Sequence, residues 1–376
     1  MDFLSARTSK PILIASLFSM SLFTKADVLF TESFDDQPDF TSTMHDSTRG
    51  GREIWNGAIL PEGWDAMFQG TQWSPETGYP DNHASFEILA SNADKARGGT
   101  GKSMVNWRES YNAGWNNWAS DSQLIKYLDK QHDEIYIEFW ISFSENWYQR
   151  NNDDNFISKI VRIGSFDGVG DPYNGAAGAL GPVVFWDYNH NNYGMRNNIA
   201  FRGGPWGENY SFDVEAFGLN PQTNYTSDTV GMAVGGENPE VVDQVNGGYL
   251  ADVDRYDFLS HDRLFGPAGH WTKIALYVKL NSAPGVADGT LMQWINDERI
   301  KVTNKVPWIG ENVENKMVGW NYVAIGGNDF FRPYPNEKRF EDWYSIDDVS
   351  VRNSLPEGLL SGESRVPNPP SSIVVQ

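Results

Sequence analysis

The chain of 376 residues contains no cysteine and has few basic side chains. Without cysteine it forms no disulfides, so its fold depends on core burial and on any bound metal. A chain of this length buries most of its surface without cross-links. Lysine and arginine number 29 against 50 aspartates and glutamates, a net charge of −21. Such a surface repels nucleic acid and anionic membranes, so we expect neither as a partner.

Long apolar runs are almost absent. The longest, residues 12–23, follows Arg7 and Lys10 and precedes small residues that end at Ala26. This order predicts a signal peptide over residues 1–26 and a secreted or periplasmic protein. A membrane anchor is the alternative, but the run is shorter than the roughly 20 residues that a spanning helix needs.

Tryptophan and tyrosine are abundant, at 15 and 16 residues. They stand among Asn, Gly and Asp, and their faces are the surfaces on which sugar rings stack, so we expect a glycan-binding surface. The alternative is that a large β-sandwich uses these rings as core filler.

The clearest local signal is a hairpin within residues 270–300. Ile274, Leu276 and Val278 alternate with polar or small residues, which predicts a half-buried strand. A loop containing Pro284-Gly285 and Asp288-Gly289 follows, and a second apolar run begins at once, as an antiparallel hairpin requires.

This hairpin carries a family resemblance in its series Trp271, Lys279-Leu280-Asn281, Asp288-Gly289, Trp294-Ile295-Asn296. The series resembles a hairpin in concanavalin-A-like jelly rolls, above all in secreted polysaccharide lyases that act on alginate and glucuronan. The resemblance implies an all-β jelly-roll sandwich of two antiparallel sheets with long loops, over residues 27–353. We expect a monomer, with residues 354–376 as a flexible tail.

The resemblance also implies site residues. Trp107-Arg108-Glu109 is similar to a family motif whose Arg neutralises the uronate carboxylate on the groove floor. A structural ion pair of Arg108 is the alternative. Ser158-Lys159-Ile160 stands where the family has Gly-Lys-Leu, so Lys159 is a catalytic candidate without the Gly. Arg202 matches the Arg of a family Ser-x-Arg.

Cleavage by β-elimination needs a group that neutralises the carboxylate, a base and an acid. We predict Tyr277 as the first choice for proton transfer, with His190 or Tyr193 in reserve, and we expect Arg108 and Lys159 beside it on one concave sheet. The predicted glycan-binding residues are polar or aromatic strand and turn positions: Trp140, Tyr193, Arg196, Asn198, Arg202, Lys279 and Gln293. The expected partner is an anionic polysaccharide.

The two ends of the domain suggest a structural calcium site. In many jelly-roll glycan proteins the terminal strands pair, and oxygen ligands from both ends hold calcium there. Glu32, Asp35 and Asp348 are the candidate ligands, although acidic turn residues are often only solvated. No organic cofactor is expected.

Two further segments have clear patterns. Residues 182–190 and 195–203 predict a second hairpin, and 122–130 predict a short amphipathic helix. A Gly-rich phosphate loop and a Gly-x-Ser-x-Gly nucleophile motif are both absent.

Two other functions compete with a lyase. A laminarinase-type glycoside hydrolase on the same fold would carry Glu-x-Asp-x-x-Glu or Glu-x-Asp-x-Glu, and neither pattern occurs. A non-catalytic lectin needs only the aromatic groove and calcium. Large loop segments and the expected concentration of cations on one sheet favour the enzyme.

Overall fold

A computed structural model describes the greater part of the chain. The described residues are 26–42, 59–69, 83–108, 122–145, 156–170, 172–173, 175, 181–191, 194–202, 224–230, 269–310, 318–330 and 342–359. Within them the structure is almost entirely β, with one 3-10 helix at Ala90–Lys95.

The strands form two antiparallel sheets, the arrangement expected for a jelly-roll sandwich. One sheet has nine strands among the described residues. In spatial order they are β14 (Glu298–Val306), β13 (Gly289–Ile295), β12 (Thr272–Lys279), β7 (Glu134–Phe143), β16 (Asp342–Arg352), β5 (Met104–Arg108), β4 (Phe86–Ile88) and β2 (Phe40–Thr41), with β1 (Val28–Glu32) also paired to β16.

The other sheet has seven strands in the part of the chain that the structure describes. In spatial order they are β11 (Asn224–Val230), β10 (Gly194–Arg202), β9 (Val183–Asn191), β8 (Phe156–Gly164), β15 (Trp320–Phe330), β6 (Ser122–His132) and β3 (Ala66–Gln69).

The core lies between the two sheets, where each contributes the apolar side of its alternating strands. Phe139 of the nine-stranded sheet meets Trp186 of the seven-stranded sheet with ring centroids 5.8 Å apart. Trp308 and Trp320, both fully buried, meet edge to face at 5.2 Å. Each sheet therefore has an inner face in this core and an outer face directed away from it.

Both predicted hairpins are confirmed, as β12–β13 and β9–β10. The terminal strands pair as expected, with Thr31 opposite Ser350. The predicted helix over 122–130 is wrong, because this segment is the strand β6, held between β15 and β3. Tertiary pairing overrides a local amphipathic pattern of this length.

The first residues of the predicted tail, which begins at residue 354, make contacts with the sandwich. Leu355 and Leu359 pack against a cluster on the outer face of the nine-stranded sheet that includes Tyr277 and Trp294. Residues 1–25 of the predicted leader lie outside the described residues, as do 360–376. Among the helices described, none is long and apolar enough to cross a membrane.

Candidate functional site

The outer face of the seven-stranded sheet brings together charged side chains through a one-residue irregularity in β8. Lys159 lies opposite Asp187, but Val161 lies opposite Trp186, so an extra residue is inserted between them. Ile160 and Val161 both enter the core. The bulge therefore places Lys159 and Arg162 on the same outer face, whereas uninterrupted alternation would separate them.

Lys159 and Asp187 occupy directly opposed positions, where Cβ atoms of neighbouring strands are roughly 5 Å apart. Asp187 is 4% exposed, and Lys159 is half-buried. The Lys159 ammonium lies 5.6 Å from the centre of the Phe185 ring. The Lys159 ammonium, the buried Asp187 carboxylate and the Phe185 ring thus lie close together on the sheet.

Arg162 continues this arrangement along β8. It lies opposite Phe185 and is only 2% exposed. Its guanidinium is 5.4 Å from the Tyr173 ring and 5.9 Å from the Phe185 ring. Two cations therefore surround Phe185 on a chain whose net charge is strongly negative. The sequence pattern did not single out Arg162 as a site residue, because the bulge is not visible in it.

Gln123 of β6 was missed for a different reason, since its segment was predicted to be helical. It lies opposite Phe68 and is completely buried. In the part of the chain that the structure describes, neither its amide nitrogen nor its amide oxygen has a hydrogen-bond partner. Leu124 enters the core, so the preceding residue belongs to the outer side of the strand.

Three of the predicted polar residues, Arg196, Asn198 and Arg202, lie in β10, beside β9. Asn198 is at the position opposite Asp187, Arg196 is opposite Asn189, and Arg202 is opposite Val183. The backbone register thus aligns Asn198, Asp187 and Lys159 across three neighbouring strands. His190 lies in β9, and Tyr193 lies outside the described residues.

Arg108 lies away from this face, in the interior of the sandwich. It is 1% exposed, and its guanidinium donates hydrogen bonds to the Tyr344 hydroxyl at 2.6 Å and the Trp107 carbonyl at 2.7 Å. It also stacks on the Tyr344 ring at 4.6 Å, and that ring belongs to the core. The expected position of Arg108 on a groove floor with Lys159 is therefore wrong.

Four other predicted residues, Trp140, Tyr277, Lys279 and Gln293, lie in the nine-stranded sheet. Gln293 lies opposite Leu276 and is fully buried on the inner face, whereas Tyr277 is on the outer face. The expectation that all these groups share one concave sheet with Lys159 is wrong. Alternation along a strand distinguishes its two faces, but it does not say to which sheet the strand belongs.

Tyr277 is partnered within its own sheet. Its hydroxyl donates a hydrogen bond to the Glu134 carboxylate, and Lys279 is exposed at the position opposite Glu134. Burial, reinforced by that carboxylate, raises the pKa of Tyr277 far above its ordinary value. A tyrosine held in this way is a poor base at neutral pH.

The candidate calcium ligands have protein partners. The Glu32 carboxylate accepts hydrogen bonds from Phe34 N and Gln37 Nε2, both at 2.6 Å. Asp348 is paired with Arg97, whose Nε lies 2.7 Å from the carboxylate, and Asp35 accepts a bond from Lys102 N at 3.0 Å. Within the described ranges, no three acidic or histidine side chains are grouped as metal ligands. The calcium site stays a prediction.

A charged cluster on the outer face of the nine-stranded sheet was not predicted. The Glu87 carboxylate accepts hydrogen bonds from Trp107 Nε1 at 2.8 Å and Asn92 Nδ2 at 3.0 Å, and His83 Nδ1 lies 3.2 Å away. Burial opposes ionisation of Glu87, but these partners outweigh it and hold its pKa below the ordinary value. His83 stacks on Trp107 at 3.6 Å. The cluster fixes the short β4 strand to β5.

Comparison with known proteins concerns the architecture. No family model and no curated protein matches the sequence. Similar solved structures include an endo-β-1,4-glucuronan lyase from the fungus Trichoderma reesei, at 13% identity and a TM-score of 0.42, covering 78% of this chain and 92% of that one. A marine PL-14 alginate lyase from Aplysia kurodai has 8% identity and a TM-score of 0.42, covering 87% and 99%.

A third similar structure is LamA from Z. galactanivorans in complex with laminaritriose and laminaritetraose. It has 9% identity and a TM-score of 0.40, covering 88% of this chain and 100% of that one. All three TM-scores are below 0.5, so the function proposed below rests on the residues of this chain.

Proposed function

We propose that this chain is a secreted polysaccharide lyase that binds a uronate-containing glycan on the outer face of the seven-stranded sheet and cleaves it by β-elimination. The observation that carries the proposal is the placement of Lys159 opposite Asp187, with Arg162 on the same face. A chain with a net charge of −21 has no general tendency to bind a polyanion. The cations that lie close together on this sheet allow the chain to bind a polyanion locally.

In the proposed reaction the C5 proton of the uronate is removed, the C4–O bond breaks, and a C4–C5 double bond forms. Arg162, with Arg196 and Arg202 of β10, would neutralise the uronate carboxylate and so acidify C5. Lys159, half-buried beside Asp187, would donate the proton that the departing O4 takes up. Tyr193, between β9 and β10 in the sequence, would accept the C5 proton, because strand alternation places His190, three residues after Asp187, on the opposite face of the sheet.

The test is an incubation of the mature protein with alginate, glucuronan, ulvan and heparin-like chains. Each β-elimination creates an unsaturated uronate, so we expect ultraviolet absorbance to rise with one of these polymers. Lys159→Ala should lower the rate by about a hundredfold, the usual scale for losing a general acid. Lys130→Ala is the matched control, because Lys130 is an exposed lysine near the end of β6 in the same sheet. Equal rates for both variants would contradict the assigned role.

A lectin is the second candidate, and one observation favours it. The charged ends of both Arg162 and Lys159 lie over aromatic rings, which also suits a surface that only holds a sugar. Binding of a polyuronate that Lys159→Ala weakens, without any rise in absorbance, would establish this function in place of the lyase.

A further inference from the structure

A second concave surface lies on the opposite side of the sandwich, where the terminal strand β1 and the strands β16 and β7 meet. We call it the terminal-strand pocket, and its volume is about 510 Å³, within the range of ligand pockets. It is lined by Thr31, Glu32, Ser33, Asp36, Glu138, Trp140, Asp348, Val349, Ser350 and Arg352. An irregularity of β16 between Asp347 and Ser350 interrupts the regular sheet surface there.

The polar floor of the pocket crosses three strands. Ser350 lies opposite Thr31 of β1 and opposite Glu138 of β7, which brings two hydroxyls and a carboxylate into one row. The Ser350 hydroxyl and Nε of Arg352 are both buried and have no hydrogen-bond partner among the described residues. A hydroxyl that is unpaired here gains a bond when a ligand hydroxyl reaches it.

Trp140 supplies the aromatic side of the pocket. Its ring is half-buried, and the Arg97 guanidinium stacks 4.7 Å from the ring centre while it is held by Asp348. The ring is therefore held in place before any ligand arrives. A fixed indole beside hydroxyl and carboxylate groups is the combination that binds the face and the hydroxyls of a sugar ring.

The negative charge of the pocket restricts the kind of ligand that it can bind. The lining includes four carboxylate residues, Glu32, Asp36, Glu138 and Asp348, and one cation, Arg352; the neighbouring Arg97 is paired with Asp348, so three carboxylates remain against Arg352. A polyuronate would be repelled, whereas the hydroxyls of a neutral sugar donate hydrogen bonds to carboxylates. We propose that the terminal-strand pocket is a second saccharide-binding site, for a neutral glycan, separate from the proposed uronate site around Lys159.

The test uses isothermal titration of the full mature protein with neutral hexasaccharides of glucose, mannose and xylose, and with a mannuronate hexasaccharide. We expect one neutral hexasaccharide to bind, and Trp140→Ala to weaken it by about tenfold or more. Trp343→Ala is the matched control, because Trp343 is also half-buried in the nine-stranded sheet but does not line the pocket. Trp140→Phe should retain most of the affinity.

Ser350→Val provides a second variant that changes only the pocket floor and suits a strand, and it should also weaken the neutral sugar. Lys159→Ala should leave the binding of the neutral hexasaccharide unchanged and should weaken the binding of the mannuronate hexasaccharide. The two sites can therefore be tested independently. The proposal is overturned if no neutral hexasaccharide binds, if Trp140→Ala and Ser350→Val both bind as the wild type does, or if calcium alone titrates into the pocket.

Discussion

Tyr277 donates a hydrogen bond to Glu134, and this pair lies on the outer face of the nine-stranded sheet, across the sandwich from Lys159. The sequence favoured Tyr277 as the proton-transfer residue, and the structure places its hydroxyl on Glu134, on the side of the sandwich opposite the proposed uronate site. We expect Tyr277→Phe to retain the rate of uronate cleavage and to lower the free energy of unfolding by about 1–2 kcal/mol, as losing a bond to a charged group does. Urea denaturation and the absorbance assay measure the two quantities.

The double variant of Tyr277→Phe with Glu134→Gln tests the same bond. If the pair is coupled, the loss in the double variant should be smaller than the sum of the single losses. A large fall in cleavage rate with unchanged stability would instead show that Tyr277 takes part in the reaction.

Arg108 gives a prediction about stability. Its buried guanidinium binds the Trp107 carbonyl and the Tyr344 hydroxyl, so Arg108→Ala leaves a cavity and unsatisfied acceptors. We expect it to lower the free energy of unfolding by about 3 kcal/mol. The cleavage rate per folded molecule, measured well below the melting temperature, should stay near the wild-type value. A fall in that corrected rate would show that Arg108 contacts the substrate.

The raised pKa of Asp347 leads us to expect that the stability of the protein depends on pH. Burial, with help from the neighbouring Asp348 and Asp35 carboxylates, raises the pKa of Asp347 to about 7, whereas its ordinary value is 3.8. Because the folded pKa is the higher one, the folded state favours the protonated acid. This contribution is complete below about pH 4 and is lost as the pH rises through 7, at most about 4 kcal/mol.

Asp347→Asn should remove that slope. We expect urea denaturation at a series of pH values to show wild-type stability falling between pH 4 and pH 7 relative to the variant. Parallel curves for the two proteins would contradict the prediction. Repeating the series with calcium also tests the predicted metal site, since a bound cation would keep Asp347 ionised and flatten the wild-type curve.

Position 326 favours glycine because of its backbone conformation and because of the atoms around it. Its φ is +91°, and an added Cβ would lie 2.7 Å from the Ser122 carbonyl oxygen. Gly326→Ala should therefore cost about 2–3 kcal/mol in unfolding free energy. Gly99→Ala is the control, because Gly99 has a φ of +71° but no described atom within 4 Å of the added Cβ, so it should lose only about 1 kcal/mol. Similar losses at both positions would show that the contact with Ser122 is unimportant.

Strand alternation predicted much of the fold, because residues such as Ile274 and Leu276 identify a buried face without any knowledge of the partner strand. The candidate site was less predictable. The insertion at Ile160 changes which face Lys159 shares with Arg162, and only the opposing strand β9 defines that register. Gln123 was missed because Leu124, Ile125 and Leu128 have helical spacing, while pairing with β15 and β3 decides the structure.

The position of β16 has a consequence for how the chain reaches its native state. This last described strand lies between β7 and β5 and also pairs with β1, and Asn353 N donates a hydrogen bond to the Asp27 carbonyl. The nine-stranded sheet is therefore incomplete until residue 352 has left the ribosome. Contacts so distant in sequence slow folding, and we expect this sheet to close only after β16 has been synthesised.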